Sequence, residues 1–169
     1  MIGAEFIAET LSSGTVFGLG VGARLRDVES AIHLDHVDDV QGRRGKRLMR
    51  RDYGLLEVTF GGEPDWECRW ISVEVHRFST SPDLIGEARE LMGVEFSQYT
   101  AWSDVQCEFN RLADGALIQS PIVQHGYKVF RSRGLGLTVQ VVDDRECIRG
   151  DFPGFGDVWS IEVALPADS

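Results

Sequence analysis

Two stretches far apart in the chain carry the same apolar spacing, with Leu25 matching Trp102, Asp27 matching Asp104, Val28 matching Val105 and Ile32 matching Phe109. Apolar residues at i, i+3 and i+7 line one side of a helix, so both stretches are predicted helical. Downstream, Leu48-Met49-Arg50-Arg51-Asp52 with Leu56, Val58 and Phe60 parallels Val129-Phe130-Arg131-Ser132-Arg133 with Leu137, Val139 and Val141. Ile71 to Val75 then parallels Trp159 to Val163, and all of these alternate with the period of half-buried strands. A further helix precedes each set. Ser81-Pro82-Asp83 supplies a start, with Ser81 expected to cap the first turn, Leu84, Ile85, Ala88, Leu91 and Met92 give the apolar face, and Gly93 gives a stop. Glu5 to Leu11, closed by Ser12-Ser13-Gly14, is the equivalent helix in the first half.

The order helix, helix, strands therefore occurs twice, which predicts an α+β fold of two related units, residues 1–80 and 81–169. A unit of about 80 residues covers a sheet poorly alone, so the two are expected to share one core within one integrated globular domain. In this frame Gly18, Gly20 and Gly22 are not a phosphate cradle. Their spacing is not G-x-G-x-x-G, no Gly-Lys-Ser/Thr follows, and the matching stretch Phe96 to Thr100 has no glycine. They are expected to make an extended approach and a turn into the helix.

The run Gly20-Val21-Gly22-Ala23-Arg24-Leu25-Arg26-Asp27-Val28-Glu29, a glycine-containing turn entering a short helix with valine inside, resembles the repeat unit of the beta-lactamase inhibitory proteins. It is also similar to related outer-membrane-assembly lipoprotein domains. The resemblance implies two helix–helix–sheet units joined in one curved antiparallel sheet, with helices on one face and the other face gripping a protein. It implies stoichiometric inhibition without catalytic residues or cofactor. The secreted inhibitors have a signal segment and paired cysteines, and this sequence shows neither, so their target is not carried over.

Charge favours a protein partner of opposite sign. The chain has 27 acidic and 17 basic residues, net −10, with residues 1–80 at −3 and residues 81–169 at −7. Such a balance repels nucleic acid and anionic membranes and steers basic proteins inward. Cys68, Cys107 and Cys147 have neither disulfide nor zinc-knuckle spacing and are expected to be reduced and mostly buried. Residues 1–20 lack a secretory signal pattern and no apolar run reaches membrane-spanning length, so the expected compartment is the cytoplasm. Fifteen Arg against two Lys, with one Asn, suggests a GC-rich bacterial source.

Chemical motifs are weak by comparison. His33, Asp35, His36, Asp38 and Asp39 form a metal-like run, and a continued helix would place His33 and His36 together. No third ligand is evident, and the matching stretch Asn110-Arg111-Leu112-Ala113-Asp114 lacks histidine, so no metal site is assigned. Arg43 to Arg51 contains six bases in nine residues, but strand alternation splits them, and pairing with acids is expected rather than nucleic-acid binding. His76 beside Glu74, His125, Asp52, Glu57, Ser103 and Cys107 are catalytic residue types outside any recognisable motif.

Aromatic residues fall into two groups. Trp102 and Trp159 lie on predicted inner faces and are assigned to the core. Trp66 with Glu63 and Asp65, and Phe152 and Phe155 with Asp143, Asp144, Glu146 and Asp151, lie in equivalent acid-rich connections. Each is readable as an interface anchor rimmed by carboxylates or as an aromatic folded back on its loop. The resulting expectation is a non-enzymatic immunity protein, monomeric or weakly dimeric, that occludes a basic toxin. The alternatives are a small-ligand or enzymatic domain with a cleft between the halves, worked by His76 or His125, and a self-associating adaptor.

Overall fold

Helix α1 (Gly3–Ser13) buries Phe6, Ile7, Ala8 and Leu11, and its N-terminal amide at Ile2 donates to the Glu5 carboxylate at 3.0 Å. In the computed structural model, which describes residues 1–112, 119–132 and 136–165, α1 packs against helix α5 (Trp102–Leu112). Between them in sequence come α2 (Leu25–Ala31), the short α3 (Arg77–Thr80) and α4 (Asp83–Met92). Both α1 and α4 end on a glycine in the left-handed region, Gly14 at φ 72° and Gly93 at φ 64°, where a Cβ would strain the backbone. The expected Ser81 cap differs in detail: its backbone carbonyl, not its hydroxyl, takes the Leu84 amide. Ala113, Asp114, Arg133 and the Leu91 side chain, all used in the sequence comparison, lie outside the described residues.

Among the described residues eight strands make one antiparallel sheet: β1 (Val37–Gln41), β2 (Leu48–Asp52), β3 (Leu56–Gly61), β4 (Glu67–Val73), β5 (Ile122–Gln124), β6 (Tyr127–Arg131), β7 (Leu137–Val142) and β8 (Val158–Ala164). Their spatial order is β1-β2-β3-β4-β8-β7-β6-β5. The fold is α+β, and the first four strands meet the last four where β4 pairs with β8. Ser72 faces Glu162 there, flanked by Ile71 against Val163 and Val73 against Ile161. Strands β1 and β5 were not foreseen. The first is mostly exposed and polar and overlaps the run read as metal-like; the second is only three residues long.

Alternation divides the sheet into two faces. On the helix face, Leu56, Val58, Phe60, Ile71, Val73, Leu137, Val139, Ile161 and Val163 are almost wholly buried and share one core with Phe6, Ile7, Leu11, Val28, Val105 and Phe109 of the helices. Burying each such side chain contributes about 1.5–3 kcal/mol. Trp102 belongs to this core, as expected. The other face, called here the open face, carries Arg50, Asp52, Glu57, Thr59, Trp70, Ser72, Thr138, Gln140, Ser160 and Glu162.

Both central hairpins contain a bulge. Thr59 pairs with Trp70 and Phe60 with Cys68, leaving Arg69 as an extra residue; Gln140 pairs with Ser160 and Val141 with Val158, leaving Trp159 extra. A bulge re-aims the inserted side chain. Trp159, expected in the core, is therefore half-buried on the open face.

The glycine-rich approach to α2 docks on β4. Gly22, at φ 89°, donates its amide to the Cys68 carbonyl at 2.8 Å, and the Cys68 amide donates to Ala23 at 2.8 Å. The Gly22 amide is thus spent on β4. Cys68 is buried, whereas Cys107 and Cys147 are exposed, contrary to the expectation of mostly buried thiols. Among the described residues no helix is long and apolar enough to cross a membrane.

Candidate functional site

The centre of the open face holds three carboxylates in contrasting settings. Glu57, 7 % exposed, is held by Arg77, with Arg50 at 3.6 Å; Arg77 also bonds Asp52 at 2.9 Å and the Gly54 carbonyl at 2.6 Å. That end of the face is electrically matched. Glu74 accepts from the Ser72 hydroxyl, and Glu162 accepts from the Gln140 amide at 3.1 Å. Neither has an arginine or lysine partner among the described residues. Burial and the nearby Glu74 charge hold the Glu162 carboxyl above the ordinary glutamate range.

An aromatic group adjoins them. His76 stacks on Trp159 with ring centres 4.3 Å apart and planes 2° from parallel, Tyr127 meets Trp159 edge-on at 5.5 Å, and Phe152 lies at 6.1 Å. The His76 amide donates to the Trp159 carbonyl at 2.9 Å, which continues the β4–β8 ladder past the bulge. Its Nδ1 lies 3.4 Å from Glu74 Oε2, outside hydrogen-bond geometry, and burial lowers the imidazole pKa with Glu74 partly offsetting it. The ring is thus disposed to remain neutral, an apolar plate beside two carboxylates.

The β7–β8 connection arches over one end of this face and is firmly braced. Asp157, 1 % exposed, takes two bonds from Arg149 at 2.6 and 2.8 Å and one from the Gly154 amide at 2.9 Å. Arg149 in turn lies 5.3 Å over the Tyr99 ring, Tyr99 donates to the Gly150 carbonyl at 2.5 Å, and Ser79 donates to the Asp151 carbonyl at 2.9 Å. This bracing presents Ile148, Phe152 and Phe155 to solvent, with Phe152 56 % and Phe155 46 % exposed.

The structure separates the residues that the sequence grouped. Asp143, Asp144, Glu146, Asp151, Phe152 and Phe155 share the β7–β8 connection, where Asp143 pairs with Lys128 at 2.6 Å and Asp144 accepts the Glu146 amide at 2.9 Å. Glu63, Asp65 and Trp66 lie in the β3–β4 connection at the opposite end of the β4–β8 pair. Glu63 is engaged by the Gly45 amide at 3.3 Å and Arg47 at 3.5 Å. Trp66, at φ 40°, packs against the core while its carbonyl takes the Leu25 amide, so of the two readings the folded-back one describes it. Asp65 is exposed.

Other motifs are dispersed. Arg51 turns to the helix side, where Asp38 clamps it at 2.7 and 2.8 Å and Glu29 at 2.9 Å, while Arg50 points to the open face. His33 and His36 follow the end of α2 rather than continuing it, and His125 sits exposed in the β5–β6 turn at φ 50°. Among the described residues no three His, Cys, Asp or Glu side chains are grouped to hold a metal. Trp159, Ser160, Glu162 and Gln140 were missed as site residues because nothing in the sequence marks the bulge that joins them on one face. Comparison with protein-family models, curated proteins and solved structures finds no match, so the geometry of this face and its loop is what speaks to function.

Proposed function

We propose that this chain is a non-enzymatic inhibitor of the immunity-protein kind, which binds a basic toxin through the open face and the β7–β8 connection and occludes its cationic site. The observation that carries the reading is the braced connection holding Phe152 and Phe155 in solvent, Phe152 6.1 Å from the Trp159 ring and Phe155 flanked by Lys128 and Arg145. Exposed aromatics on a rigid support serve as interface anchors, because little conformational entropy is lost when they are covered. A net charge of −10 adds steering toward a basic surface.

The two halves are further proposed to descend from one duplicated unit. In support, Arg24 bridges Glu67 just before α2 as Ala101 bridges Asp157 just before α5, and Arg69 and Trp159 occupy corresponding bulges. On this alignment Ile71 corresponds to Ile161, two residues along from the pairing with Trp159 suggested by the sequence.

The test is affinity capture from native lysate and secreted fraction at moderate salt, followed by expression of the captured protein with and without this chain. The proposal expects one basic partner whose toxicity co-expression suppresses, and loss of suppression in Phe152→Ser/Phe155→Ser. Recovery of only further copies of this chain, or of a tightly held small molecule, overturns it in favour of the adaptor or ligand-binding reading.

A further inference from the structure

Among the described residues the sheet ends in two edges of different character, β1 on one side and β5 on the other. β1 carries Asp38 and Asp39, charges of the kind that keep an edge from accepting a further strand. β5, Ile122-Val123-Gln124, has no charge and is exposed throughout, Ile122 to 53 % and Val123 to 63 %. The neighbouring ladder fixes which way its backbone points, because bonded and non-bonded pairs alternate between antiparallel strands. The Ser132 amide donates to the Leu137 carbonyl and the Asp143 amide to the Gly126 carbonyl, so Lys128 and Phe130, in step with them, also turn their backbone groups to β7. Tyr127 and Val129 therefore turn to β5, where they meet Gln124 and Ile122. Val123, between those two, directs its amide and carbonyl off the sheet. No backbone bond from outside the β5–β6 pair reaches it among the described residues. Lys128, its partner across the pair, is neutralised by Asp143 at 2.6 Å.

We propose that β5 pairs antiparallel with β5 of a second copy of this chain, about a two-fold axis at Val123. The strand is complementary to itself. Val123 exchanges both outward backbone bonds with Val123 of the second copy, Ile122 opposes Gln124, and no like charges face each other across the axis. Pairing also covers the exposed Ile122 and Val123 side chains and meets an amide and a carbonyl that otherwise face water. Pro121, which has no amide hydrogen, precedes the strand, and a turn at His125 and Gly126, φ 50° and 83°, closes it. The contact is thereby limited to a few residues and the association is weak. Because the opposite edge bears Asp38 and Asp39, pairing stops at two copies instead of extending into a filament. The proposal stands apart from the inhibitor reading, which uses the β7–β8 connection.

The test is sedimentation of the full chain at physiological ionic strength, from micromolar to millimolar concentration, where the average mass is expected to climb toward twice that of one chain. Val123→Pro removes an amide that faces away from β6, so the β5–β6 pair and the unfolding midpoint are retained while association weakens about tenfold or more, two hydrogen bonds being lost. Val123→Lys and Val123→Glu each set like charges across the axis and are expected to stay monomeric alone, whereas an equimolar mixture of the two associates again. Phe152→Ser/Phe155→Ser is expected to leave the association unchanged. A mass that stays at one chain throughout, undiminished association of the Val123 variants, or loss of association in the phenylalanine variant overturns the pairing. If the wild-type chain stays monomeric and Val123→Pro instead abolishes binding of a captured basic partner, the edge receives a strand of that partner, and pairing between copies is overturned while inhibition stands.

Discussion

The His76 imidazole lies flat on the Trp159 indole, 4.3 Å between centres and 2° from parallel, and the contact exists because one inserted residue in β8 turns Trp159 away from the core. Burial lowers the pKa of His76 below its ordinary 6.5. Protonation therefore favours the unfolded chain, and this group's contribution to stability declines as pH falls from 6.5 through the lower folded value. A protonated imidazole also quenches a stacked indole. Tryptophan emission should fall in a step with a midpoint below 6.5, and the step should vanish in His76→Gln and in Trp159→Leu.

Glu162 titrates in the opposite sense. Its folded pKa is raised above 4.5, so its burden is absent at low pH, grows as pH rises through 4.5, and is complete above the folded value. Glu162→Gln should raise the midpoint of urea denaturation at pH 7 and leave it unchanged at pH 3.5. An equal effect at both pH values would contradict an electrostatic origin.

Arg51, with 6 % of its side chain exposed, is balanced by Asp38 of the neighbouring strand β1 and by Glu29 of α2. The Arg51 hydrogen bonds hold Asp38 below its ordinary 3.8, so this stabilisation is present above pH 3.8 and is lost as pH falls through the folded value. Asp38→Ala should cost about 2 kcal/mol in chemical denaturation at pH 7, less than a wholly buried pair because Asp38 is one-third exposed.

The brace on the β7–β8 connection is open to a separate test. Asp157→Ala removes three hydrogen bonds at once and should cost about 2 kcal/mol. Hydrogen exchange should quicken at the Phe155 amide, which donates to the Cys147 carbonyl, more than at β3 amides. Partner binding should weaken mainly through faster dissociation, since the Phe152 and Phe155 anchors lose their support.

Helices and inner strands were legible because burial writes itself into spacing. Val28 and Val105 are fully buried on α2 and α5, and Leu56, Val58 and Phe60 line the core as their alternation predicts. Gly14 and Gly93 marked their helix ends for an equally local reason. The edge strands were not legible: β1, Val-Asp-Asp-Val-Gln, is short and solvated on both sides and has no apolar rhythm to read. The site was less legible still. Phe152, Phe155 and the loop acids were visible as exposed-type residues in a long connection. Trp159, however, sits in an alternating run whose pattern holds from Ser160 onward, and a single inserted residue reverses its direction without leaving a compositional trace.

The antiparallel pairing of β4 with β8 also keeps the two acid-bearing connections apart. The β3–β4 and β7–β8 connections leave the central strands at opposite ends, so they are separated by the height of the sheet, about 23 Å for seven residues of strand. Substitutions at Glu63 or Asp65 and at Asp143 or Asp144 should therefore add in their effects on stability, since each connection lies beyond the reach of the other's contacts.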